Sequence, residues 1–309
     1  MMEKTDVAKK AMYEIGGNYQ AIAVYDAAAT WFERFANQYP KAENADRALS
    51  DAVVLRLGLG QEDEAIRDAD TFNKTYGASK PAQAAQIAFA VGAHYVEKED
   101  WDRARQRLQG ALGAIEKSAT TDVVIQAHAL LGRVYIKIKS DPNAKQEYAK
   151  VKTLWGDGKA AAEKILAIAG EDEGSKIRRL GKALTAVGEA YFYFAEKKRD
   201  DAERIRFPEY RGPDDKDSVL KHVKGPVMDW IKKKKPAIEA AEAEYVKILE
   251  LTPPPPKWVI AAGSQVGGLW GNFVRDFRAA PIPASFKRDV ELRNTYYAGL
   301  DEASEPFKQ

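Results

Sequence analysis

Residues 11–20 read AMYEIGGNYQ, residues 86–96 read QIAFAVGAHYV and residues 127–136 read AHALLGRVYI. In each, a glycine stands three positions before a tyrosine: Gly16 and Tyr19, Gly92 and Tyr95, Gly132 and Tyr135. Twelve positions after each glycine comes an alanine: Ala28, Ala104 and Ala144. A weaker copy between the first two carries Val53, Arg56 and Ala65 at the same offsets. The four copies recur at intervals of 37, 39 and 40 residues. A fixed period of this size marks stacked units, each burying an apolar face against the next. Small residues at the Gly and Ala positions let two helices approach closely, and aromatics fill the space around that contact. Pro40 stops a helix, as proline does just beyond a C-terminus.

These residues resemble the tetratricopeptide (TPR) repeat, a helix–turn–helix unit of about 34 residues. The first copy supplies Ile15, Gly16, Tyr19, Ala28, Phe32 and Pro40. The third supplies Val91, Gly92, Tyr95, Ala104, Leu108 and Ala111. The fourth supplies Leu131, Gly132, Tyr135, Ala144, Tyr148 and Val151. The second keeps Leu49, Ala65 and Phe72 but has Arg56 where the aromatic belongs. The resemblance implies an all-α fold: a TPR-like right-handed α-solenoid of helical hairpins with additional C-terminal helices. Residues 8–155 are expected to form four repeats.

Residues 156–251 read as diverged helical repeats with an inserted loop at 206–217. Helices are predicted over 157–171 and 174–198, where Gly188 and Tyr191 repeat the three-residue offset without the following alanine. Two more are predicted over 218–234 and 236–251, with Pro236 at the start of the second or at a kink. Residues 252–309 form the last region. Pro253–Pro256 reads as a stiff spacer, followed by helices over 257–278 and 286–303 joined through Pro281 and Pro283.

Composition removes several function classes. The chain has 48 Lys plus Arg against 46 Asp plus Glu, a net charge of +2. That balance gives no drive toward nucleic acid. It has no cysteine, which excludes disulfides, thiolate metal sites and Cys nucleophiles. The N-terminal stretch lacks the apolar core of a signal peptide. Residues 258–274 are uncharged, but at this length and with Ser264, Gln265 and Asn272 a buried helix is expected, with no transmembrane segment. Gly263, Gly267 and Gly271 recur every four residues, which suggests close packing on a neighbouring helix.

No catalytic motif stands out. His94, His128 and His222 are scattered without metal-ligand spacing. There is no phosphate-cradling GxxxxGK[ST] and no GxSxG elbow. No catalytic residue, metal or cofactor is assigned. Lys232–Lys235 reads as a solvated helix end whose cations favour the C-terminal dipole.

What the repeats leave is a binding surface. In a TPR superhelix the first helix of each pair lines the concave face. Counting from the repeat positions, its exposed residues are Tyr13, Gln20, Arg47, Val54, Phe89, Val96, Gln126 and Arg133. This mixture suits a helix or extended peptide with apolar anchors. It differs from chaperone-binding TPR domains, which clamp a terminal carboxylate with Lys and Asn. Residues 31–49, WFERFANQYPKAENADRAL, resemble bacterial cell-envelope TPR proteins, including outer-membrane assembly lipoproteins. FPEYRG (207–212), VMDWIKKKKPAIEAAEAEY (227–245), PPPPKWVIAAGSQVGGLWGNFVRDFRAAPIP (253–283) and YYAGLDEASEP (296–306) resemble TPR proteins of myxobacteria, some in gliding-motility envelope machinery. The resemblance implies a non-catalytic scaffold with protein partners in the periplasm or cell envelope, and a usual length beyond this chain; the missing signal peptide leaves the cytoplasm as the alternative. Alternatives are an enzyme or small-ligand protein with a site between the repeats and the C-terminal helices, and a self-assembling module.

Overall fold

A computed structural model describes residues 6–168, 172–278, 280, 282 and 286–304. Among them every regular element is helical. Four hairpins come first: α1 (Asp6–Ala21) with α2 (Tyr25–Gln38), α3 (Ala45–Gly58) with α4 (Glu62–Tyr76), α5 (Pro81–Glu97) with α6 (Trp101–Ser118), and α7 (Thr121–Lys137) with α8 (Asp141–Trp155). Then follow α9 (Lys159–Leu166), α10 (Glu173–Arg204), α11 (Lys216–His222), a π-helical turn (Val223–Val227), α12 (Met228–Leu249), α13 (Pro256–Arg278) and α14 (Val290–Ser304). The chain divides into two compact units, Met1–Ala186 and Val187–Gln309, with the division inside α10.

In the first unit the fold is an all-α, TPR-like stack, and the glycines explain why. A Cβ built on Gly16 would lie 2.6 Å from the Phe32 ring. One on Gly92 would lie 2.5 Å from Leu108, and one on Gly132 would lie 2.8 Å from Tyr148. Each partner stands sixteen positions after its glycine, on the second helix of the pair. Phe32, Leu108 and Tyr148 are all buried, which contributes about 1.5–3 kcal/mol apiece. In the second hairpin the sizes are exchanged: buried Val53 replaces the glycine and Ala69 stands sixteen positions on. α2 packs on α3, α4 on α5 and α6 on α7, so the hairpins share one core.

The four turns are built alike. Ala23, Gly60, Glu99 and Lys139 each stand seven positions after the Gly/Val position, with φ of 59°, 73°, 58° and 59°. The next residue's N–H reaches back to the carbonyl of Tyr19, Arg56, Tyr95 or Tyr135, at 2.7–3.0 Å. The left-handed residue itself donates to the carbonyl three before it. This is the Schellman closure, which satisfies carbonyls otherwise orphaned at a helix end.

The second unit packs around aromatics. Trp230 stacks on Phe273 at 5.1 Å and meets Phe207 and Phe277 edge-on. Gly188 keeps its close approach, but to Pro255 and Trp258 at the start of α13, 2.8 Å from a built Cβ. Where a fifth hairpin would place a second helix, α10 instead runs on to Arg204.

Several local expectations change. Pro236 lies inside α12; the irregularity falls at Val223–Val227, where the π-helical turn holds Pro226. Residues 251–253 bend, so the proline run is not a straight spacer, and Pro256 opens α13. Gly263, Gly267 and Gly271 are exposed with nothing within 4 Å of a built Cβ, so no helix packs closely there. Pro281 and Pro283 lie outside the described residues. No helix among the described residues is long and apolar enough to cross a membrane.

Candidate functional site

The eight residues expected on the first-helix face come from α1, α3, α5 and α7. α5 touches both α3 and α7. Val54 is 57% exposed on α3. Arg47, one turn from Asp51, reaches its carboxylate at 3.8 Å, and burial pushes the Asp51 carboxyl up. Phe89 is half-buried against Ala85, Ile115, Val123, Val124 and Ala127. Gln126 donates to the Asp122 carbonyl at 3.1 Å, and Arg133 is half-buried with a partner. Gln20 is exposed. Tyr13 leans on Phe32 and Phe35, its ring centroid 5.8 and 5.4 Å from theirs. Val96 is corrected: at 5% exposure it is buried rather than presented, because neighbouring helices cover α5 on several sides.

Charged networks tie the hairpins together. Arg56, at the aromatic position of the second copy, is buried. Its guanidinium clamps Glu33 at 2.6 and 3.1 Å and donates to Asp26 and Gln61 at 2.6 Å and to Thr30 at 3.0 Å. A planar fork with five donors meets this many acceptors where a tyrosine offers one hydroxyl. Asp68 on α4 is buried beside this network, hydrogen-bonded to Glu33, with Oδ2 unpartnered among the described residues. Burial, then the Glu33 charge, pushes its carboxyl up to about 7. Glu62 opens α4 and gathers Lys98 at 2.8 Å with His94 and Arg103 at 3.2 Å, joining the second hairpin to the third. The hydrogen bonds from Lys98 and His94 hold its carboxyl below the usual range.

The other histidines also have partners. Buried His128 on α7 sets Nδ1 2.6 Å from Glu147 and Nε2 3.2 Å from Glu116. His222 contacts the Pro208 carbonyl at 3.3 Å, and burial lowers its pKa. Among the described residues no group of three or more His, Asp or Glu has a metal-binding arrangement.

Two features escaped the sequence reading. A crevice of about 640 Å³ opens between α4 and α6 over α5, walled by small side chains including Ala69, Ala88, Gly110 and Ala114. Ala69 is one of the small residues of α4 that leave it open. The second is Lys234, expected in a solvated helix end. It is buried within α12, and its ammonium donates to the carbonyls of Ala202 at 2.8 Å and Ile205 at 3.2 Å. It therefore caps the end of α10, beside Trp230, whose indole N–H donates to Ile205. The signal was periodic: Trp230, Lys234, Ile238, Ala241 and Tyr245 follow the buried stripe of α12.

No family model and no curated protein matches the chain. Among solved structures it is similar to the crystal structure of a tetratricopeptide repeat protein from Parabacteroides merdae. Identity is 14%, coverage is 77% of this chain and 91% of that one, and the TM-score is 0.37. At that score the likeness adds nothing to the hairpin geometry above, on which the fold rests.

Proposed function

We propose that this chain is a non-catalytic scaffold that binds other proteins through the first-helix face of its repeats, within a bacterial cell-envelope assembly of gliding-motility type. One observation carries the reading. Helices α3, α5 and α7 adjoin, and they carry exposed Val54, half-exposed Phe89 and the polar groups Arg47, Gln126 and Arg133. Apolar anchors bordered by hydrogen-bonding groups suit an amphipathic helix or an extended peptide. The envelope setting is supported by the phrases at 31–49 and from residue 207 onward.

The test is crosslinking and co-purification of the tagged chain from its native cells, beside a Phe89→Ala, Arg133→Glu double variant. The expected result is a reproducible set of envelope proteins that the double variant loses. Partners retained by the double variant would place binding elsewhere. Recovery of no partner would overturn the scaffold reading.

A further inference from the structure

The second unit contains a polar cleft of about 380 Å³ that the repeats do not explain. It is bordered by Glu203 near the end of α10, Arg206 just beyond, Lys234 of α12, and Asn272, Arg275 and Asp276 of α13. Asp200 and Arg204 complete the lining and are already paired, with Arg199 at 3.1 Å and Asp201 at 3.0 Å. Lys234 is 4% exposed. An ammonium has three N–H donors; two reach the carbonyls of Ala202 and Ile205. The third has no acceptor among the described residues. Arg206 and Arg275 are exposed and make no ion pair among the described residues.

We propose that this cleft binds a carboxylate carried by a partner polypeptide, on an acidic side chain or at its C-terminus. Arg206 and Arg275 pair with its oxygens, and Lys234 supplies its remaining N–H at the floor. Three features carry this assignment. With Asp200 and Arg204 already paired, three cations face two carboxylates, leaving one net positive charge, which matches a monoanion. Glu203 and Asp276 would repel the second charge of a phosphate group. The carbonyl end of α10 would oppose an anion, but Lys234 already caps two of those carbonyls. The walls are exposed, so a small free anion would stay hydrated and weakly held. A tethered carboxylate gains further contacts along the rim. This inference is independent of the first-helix face.

Fluorescence anisotropy on the full chain provides the test, with two peptides labelled with an uncharged boron-dipyrromethene dye. One is glutamate-rich with an amidated C-terminus; the other is a neutral Gly/Ser peptide with a free C-terminus. At least one should bind saturably, more weakly at high salt. Arg206→Ala and Arg275→Ala should each lower that affinity about tenfold, as expected for a charge-assisted pair, while keeping the wild-type melting temperature. Phe89→Ala should leave it unchanged, which separates this site from the first-helix face. Binding of the acidic peptide assigns a side-chain carboxylate, and binding of the neutral one a chain terminus. Saturable binding of neither peptide, binding of free glutamate alone, or unchanged affinity in both arginine variants would overturn the proposal.

Discussion

At Asp68, burial and the neighbouring Glu33 carboxylate act in the same direction, and both favour the protonated form. The folded carboxyl titrates near 7 against an ordinary value of 3.8. Between those values the folded state holds a proton that the unfolded state releases, so stability falls as pH rises. The contribution is complete below about pH 4 and lost as pH passes 7. Urea unfolding from pH 4 to pH 8 should show this decline, and Asp68→Asn should flatten it. A variant with the same slope as wild type would assign the effect to another group. Arg56 was legible in the sequence as a misfit at an aromatic position. Its acceptors were not, because Asp26, Thr30 and Glu33 lie 23–30 residues earlier on another hairpin. Lys234 was misread for a similar reason: its neighbours in sequence are lysines, but its neighbours in space are carbonyls.

At the scale of the helical hairpin, two substitutions test the packing argument. Gly132→Ala places a methyl group 2.8 Å from the Tyr148 ring, which must move. Overpacking of this kind should cost about 1–3 kcal/mol in chemical denaturation. Gly110→Ala meets open space and should stabilise slightly, as alanine generally does inside a helix. The turns give the opposite test. Lys139 holds a left-handed conformation that costs an ordinary residue about 1–2 kcal/mol. Lys139→Gly should therefore raise stability by about 0.5–1 kcal/mol after glycine's greater freedom in the unfolded chain is offset. A loss of stability would mean that the lysine side chain does more than occupy the turn. The hairpins were readable because their contacts repeat at a fixed offset within about forty residues. The crevice over α5 was not, because it depends on how far α4 and α6 stand apart.

At the scale of the whole molecule, stacking makes stability a sum of hairpins and nearest-neighbour interfaces. Gly16→Ala and Gly132→Ala lie in the first and fourth hairpins, which share no packed helix pair among the principal contacts. Their costs should add within about 0.5 kcal/mol. Gly92→Ala and Gly132→Ala lie on α5 and α7, which touch, and should depart from additivity by more than that. Equal behaviour of the two pairs, read from denaturant midpoints and slopes, would contradict nearest-neighbour coupling. The helical class, the period and the close Gly contacts were all readable from spacing along one chain segment. Tertiary structure alone decided that Val96 is covered and that Gly263, Gly267 and Gly271 lie bare. It also buried Lys234 under the end of α10 and gathered Arg206, Lys234 and Arg275 around one cleft. Those outcomes depend on which distant helix arrives beside a residue, and local spacing carries no record of that arrival.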